Sequence, residues 1–257
     1  MRAWLLGALL LAGLPFQSAL DGGNAVAYRF SFPQPEHHWM AVEAVFPDLD
    51  GAALELRMSR SSPGRYSVHD FAKNVYDVEA HAADGAPLPV TRTDPSAWSV
   101  APARGTVTVR YKVFGDRVDG TYLAVDTTHA HLNMPATVMW ARGFEDRPIR
   151  LTLDAPAGAP QWQVATQLYP GRHPQEYTAP NLQYLMDSPV EFGPVAVRTF
   201  IIDGRTFRFA AHHTGSAAEL DTFVPEVRRI VEAERDVFGE FPEYEQGTYT
   251  FLADYLP

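Results

Sequence analysis

Residues Thr106 to Val113 read Thr-Val-Thr-Val-Arg-Tyr-Lys-Val. Polar and apolar residues alternate strictly, which is the period of a β-strand with one buried and one wet face. The same period recurs outward in both directions: Tyr28 to Phe32, Met40 to Phe46 and Leu54 to Met58 before it, Ile149 to Leu153 and Val195 to Ile201 after it. Turn dipeptides separate the runs: Asp50-Gly51, Pro63-Gly64, Asp84-Gly85, Asp119-Gly120 and Asp203-Gly204. Short strands at regular spacing, with no helices between them, predict a mainly β fold. The expected form is an antiparallel, sandwich-like or curved β domain over residues 26–202.

Beyond it the period changes. Asp203-Gly204 joins Val195 to Ile202 and Arg205 to His212 as a hairpin. Thr214-Gly215-Ser216 then offers an N-cap for a helix running to Phe238. Leu220, Val224, Val227, Val231 and Val237/Phe238 form one apolar stripe, while Arg228, Arg229, Glu232, Arg235 and Asp236 lie opposite. Pro225 either kinks this helix or starts a second one. Gly239 suits the C-terminal cap, and Thr248 to Ala253 opens a new strand. One helix and one strand cannot cover each other's faces. Residues 203–257 are therefore expected to be the truncated start of a second, α/β domain.

Composition narrows the classes. The 257 residues are 46% hydrophobic and 20% charged, ordinary values for a globular chain. A net charge of −10 disfavours nucleic acid and anionic membranes as partners. With no cysteine there is no disulfide framework, no thiolate metal site and no Cys nucleophile. Arg2 followed by the uncharged run Ala3 to Leu14 is too short for the ~20 residues of a spanning helix. It fits a signal peptide over 1–19, cleaved anywhere in 19–27, with an uncleaved anchor as the alternative. A secreted or periplasmic protein, free of the membrane after cleavage, is expected.

Four stretches in order carry a family resemblance: Ser62-Pro63-Gly64-Arg65-Tyr66 through Asn74-Val75, Asp94-Pro95-Ser96-Ala97-Trp98-Ser99-Val100, Tyr184-Leu185-Met186-Asp187-Ser188-Pro189-Val190-Glu191-Phe192-Gly193, and Val237-Phe238-Gly239-Glu240-Phe241-Pro242 with its Tyr-rich strand. Together they resemble the N-terminal region of the glycyl aminopeptidase family of zinc metallopeptidases. The resemblance implies a β domain walling a substrate cleft, then a thermolysin-like zinc domain and often a PDZ domain. It also implies a peptide N-terminus, glycine or alanine preferred, as the substrate partner. Zinc is expected in full-length members through H-E-x-x-H. None of His37, His38, His69, His81, His129, His131, His173, His212 and His213 is followed by Glu or by a His four residues on. No catalytic residue, metal ligand or cofactor is therefore expected in this chain, which should be inactive alone.

By the same resemblance, Glu191 first and Asp187 second are the candidates for binding the substrate α-ammonium as an exposed acidic pair. Without a ligand, Asp187 and Ser188 could simply cap the backbone before Pro189. His129-Ala130-His131 puts two rings on one strand face, but only Asp126 lies nearby as a third ligand, so no metal is assigned to it. His37-His38 and His212-His213 would point to opposite faces. Ser67, His69 and Asp70 stand too close in sequence to form a triad. A secreted, non-catalytic β protein binding peptide or carbohydrate is the alternative function.

Overall fold

The computed structural model describes residues 23–255. The proposed signal segment, 1–19, lies outside them. The chain is mainly β, 47% strand and 16% helix, with several largely antiparallel sheets and no barrel. The strand centred on Tyr111 spans Arg104–Phe114 and lies inside an eight-stranded sheet. From one edge the order is Tyr169–Pro170, Glu176–Ala179, Ile149–Asp154, Val26–Gln34, Trp39–Asp50, Arg104–Phe114, Val75–Ala82 and Pro87–Leu88. All neighbours are antiparallel except Val26–Gln34 and Ile149–Asp154.

The alternation sets the register. Met40, Val42, Ala44 and Phe46 stand opposite Val113, Tyr111, Val109 and Val107, and all eight are buried. Slipping the pair by one residue would expose the whole set, which is why the register is specified so strongly. The opposite face is wet and carries ion pairs such as Arg110–Glu43 at 2.7 Å. Two four-stranded sheets cover the buried face. One orders Met139–Ala141, Leu54–Met58, Ala97–Val100 and Val90–Asp94; the other orders Gln163–Thr166, Val190–Gly193, Ala130–Leu132 and Leu123–Val125. Phe30, Phe46, Leu56, Val109, Leu132, Met139 and Phe192 belong to one continuous core.

The layers are also tied by buried hydroxyls. Tyr111 donates to the Thr137 carbonyl at 3.1 Å and accepts from the Met139 N–H at 2.8 Å; Tyr28 donates to the Met139 carbonyl at 3.1 Å. Burial pushes both phenols well above their ordinary pKa, so they remain neutral donors.

The last unit is a three-stranded sheet, Ala196–Ile202, Arg205–His213 and Thr248–Tyr255 in that order, with the second pair parallel. Asp203 and Gly204 take φ of 49° and 76°, as a two-residue turn of this hairpin demands. The expected boundary at 202 thus falls within a hairpin whose two strands share one sheet. The helix Ala217–Phe238 crosses between the parallel strands. Ser216 and Glu219 form a reciprocal capping box, and Gly239 closes the helix at φ 88°. The helix runs through Pro225 without a second start.

The apolar stripe does find partners. Leu220, Val227 and Val231 are buried, with Val224 beside them, in a second core with Phe200, Phe207 and Phe209. The expectation that helix and strand lack anything to lie against omitted the hairpin, which a boundary at 202 divides between the two domains. The stripe's distal end differs: Val237 and Phe238 are 79% and 80% exposed.

Tyr111→Phe is expected to destabilise the protein by about 1–3 kcal/mol, because it strands a buried N–H and weakens a buried carbonyl's pairing. Urea unfolding checks this; an unchanged midpoint and slope would show that the hydroxyl bridge contributes nothing.

Candidate functional site at the junction of the sheets

The strand Ala130–Leu132 sends Ala130 and Leu132 into the main core. The alternate positions, His129 and His131, face the other way. Its antiparallel neighbour Val190–Gly193 does the same: Val190 and Phe192 enter the core, and Glu191 stands directly opposite His131. The three-stranded sheet closes over this face. Its parallel strands place His212 beside Asp254 in register. Three imidazoles and two carboxylates from four strands therefore meet in one buried junction.

The distances define a network. Asp254 holds two rings, His129 Nε2 to Oδ2 at 3.0 Å and His212 Nδ1 to Oδ1 at 2.9 Å. The rings of His129 and His212 stack at 3.9 Å with 20° between their planes. Glu191 Oε2 pairs with His131 Nδ1 at 2.9 Å. Its other oxygen, Oε1, is buried without a hydrogen-bond partner and lies 3.7 Å from His129 Nε2. His129 and Glu191 are fully buried, and His212 is 5% exposed.

Local structure fixes His129. Asp126 Oδ1 accepts from the backbone N–H of Thr128 at 2.6 Å and of His129 at 3.0 Å, and from the Thr128 hydroxyl at 2.6 Å. Burial works against the Asp126 charge, but these bonds hold its pKa below the ordinary carboxylate range. The His129 Nδ1 face meets Thr128 Oγ1 at 3.2 Å and Asp126 Oδ1 at 3.4 Å. Gly193 is required alongside: a Cβ there would stand 2.7 Å from the His129 Cβ. Burial alone would lower the pKa of His131, yet the hydrogen bond and charge of Glu191, backed by Asp254 and the Gly120 carbonyl, raise it.

Chemically this arrangement can share protons among imidazoles and carboxylates, or hold a cation. His129, Glu191 and His212 each offer a donor atom, all within 4.8 Å of one another. Sequence reasoning singled out the His129/His131 pair and Glu191 separately. It missed their meeting, and missed His212 and Asp254 altogether as members of the same site. The available signal was the His-x-His face; the third group comes from register across 60 residues.

Glu191 and Asp187 do not form an exposed acidic pair. Glu191 is wholly enclosed because position 191 alternates onto the covered face of its strand. Asp187 ends the short helix Leu182–Met186 and is exposed. It borders a separate open recess of about 490 Å³ between the β domain and the last strand, with Gln167, Tyr184, Glu245, Thr248 and Thr250. Ser188 caps that helix by donating to the Tyr184 carbonyl at 2.7 Å. Ser67 Oγ does lie 3.2 Å from His69 Nε2, but the group on the far side of that ring is the Tyr122 hydroxyl, at 3.2 Å, and not Asp70. His38 turns to the Val125 carbonyl, while His37 is exposed.

Known proteins place this architecture. A crystal structure of an aminopeptidase N family protein from Idiomarina loihiensis superposes with a TM-score of 0.80 at 25% identity, over 89% of this chain. The chain spans 39% of that protein's length. Comparison with curated proteins finds no match. Residues 27–194 match the family model described as the Peptidase M61 N-terminal domain, which covers the three sheets of the main core. The chain belongs to the Peptidase M61 N-terminal domain family.

Proposed function

We propose that this chain is the N-terminal part of an exported zinc aminopeptidase that removes N-terminal residues of the glycine or alanine type, its β domain walling the substrate cleft. The observation that carries the proposal is the combination of an M61 N-terminal match with a likeness to about two fifths of an aminopeptidase N family protein. No H-E-x-x-H occurs among the nine histidines. The residues present do not fit the zinc signature of such enzymes, and no hydrolytic step is assigned to them. What this chain contributes is shape and polarity at the junction between its β domain and the helix-bearing sheet.

An aminopeptidase must recognise a free α-ammonium, and a carboxylate at the cleft wall serves that purpose. Of the two candidates, Asp187 is open to a ligand arriving from solvent. Glu191 is engaged with His131 and enclosed. Asp187 is accordingly the residue to which the proposal gives the ammonium contact. Export rests on the first 19 residues. Among the described residues no helix is long and apolar enough to cross a membrane.

Two measurements test this. A longer polypeptide containing this chain and an H-E-x-x-H domain is expected to release glycine or alanine from aminoacyl anilides and to lose that activity to a zinc chelator. The 257-residue chain alone is expected to be inert. Turnover by the short chain, or an inactive long one, would contradict the proposal. A non-catalytic binder would show the second outcome together with saturable peptide or sugar binding. In the longer protein, Asp187→Asn should raise KM about tenfold, the loss of one charge-assisted contact, with little change in kcat. An unchanged KM discards the ammonium contact.

A further inference from the structure

We propose that the buried junction is a binding site for one divalent transition-metal ion of the zinc class, ligated by His129, Glu191 and His212. The first observation is the unmet oxygen. Glu191 Oε1 is enclosed, has no hydrogen-bond partner, and faces His129 Nε2 from 3.7 Å. A buried carboxylate oxygen without a partner is costly, and a cation is the group that removes the cost. Two imidazoles and a carboxylate are donors that suit zinc and its neighbours rather than calcium or magnesium.

The second observation is that the groups behind the donors are already in place. If His129 ligates through Nε2, its Nδ1–H points at Thr128 Oγ1 and Asp126 Oδ1. If Glu191 ligates through Oε1, its Oε2 is steadied by His131. Metal sites depend on such outer partners to fix the tautomer and aim the ligand. Asp254 Oδ2, 3.0 Å from His129 Nε2, is placed to act as a fourth donor.

The geometry needs one adjustment. Zinc bonds of about 2.0–2.1 Å put tetrahedral donors about 3.3–3.4 Å apart. The three donors, spread within 4.8 Å, must draw in by up to about 1.4 Å to meet that spacing. An ion also lies near the plane of each ring that binds it, so the His129–His212 stack has to open. His129 is anchored through Asp126 and Thr128, whereas the His212 ring hydrogen-bonds Asp254. The turning ring is therefore His212. The site uses residues of this chain alone and stands independently of the peptidase assignment.

The test is a titration of the dialysed 257-residue protein with Zn2+ by calorimetry, with thermal unfolding in parallel. About one ion per chain is expected, with a rise in Tm. Glu191→Gln and His212→Asn should each weaken binding at least tenfold, while His37→Ala leaves it unchanged. No stoichiometric uptake by the folded wild type, or wild-type affinity in both Glu191→Gln and His212→Asn, overturns the proposal. Should those variants fail to fold, Co2+ added to the wild type decides: ligand-field absorption of a four- or five-coordinate nitrogen–oxygen site supports it, and its absence from folded protein overturns it.

Discussion

Asp254 grips two imidazoles at once, and they come from opposite sides of the junction. His129 belongs to the β domain and His212 to the hairpin of the three-stranded sheet. Buried charges are tolerated only when paired and hydrogen-bonded. Placing Asp254 and Glu191 in the same enclosed space therefore obliges the protein to bring imidazoles to both. This requirement ties the two units together more specifically than apolar contact would, because removing either carboxylate leaves polar rings stranded.

The rest of the junction is polar in the same manner. Arg208, on the hairpin, donates to the Thr166 carbonyl at 2.7 Å and to Thr250 Oγ1 on the neighbouring strand. Gln167 donates to the Thr248 carbonyl at 2.8 Å, and Gln246 returns a bond to the Gln167 carbonyl at 2.5 Å. The main core and the helix–sheet core remain two separate apolar clusters. Orientation between the units is thus set by directional bonds with fixed partners. The recess beside Asp187 lies along this same seam.

The sequence was most legible in strands that set an apolar face against a wet one, though Val75–Ala82, with its mixed pattern, escaped notice. Thr106 to Val113 and Leu54 to Met58 alternate strictly and Met40 to Phe46 more loosely, and each lies in a strand, Arg104–Phe114, Leu54–Met58 and Trp39–Asp50. Leu123–Val125 was not legible: all three residues are buried, so no period appears. Ala130–Leu132 and Val190–Gly193 are three and four residues long, too short for any period to declare itself, and they are the strands that carry the site. His129, His131 and Glu191 stand out in the sequence as residues, but the His131–Glu191 contact spans 60 positions, and Asp254 lies 125 positions from His129. Register and sheet stacking create that proximity, and neither is written in local pattern. The helix stripe shows the converse: its period was clear, and its partners were misassigned because the hairpin was divided between two domains.

The buried acid–imidazole network locks the helix–sheet unit onto the β domain. Native-state hydrogen exchange on wild type and Asp254→Asn tests it most directly. Amides of Thr248–Tyr255 and Ala217–Phe238 should lose protection in the variant, while those of Arg104–Phe114 keep theirs. Equal protection in both proteins across all three elements would contradict the account.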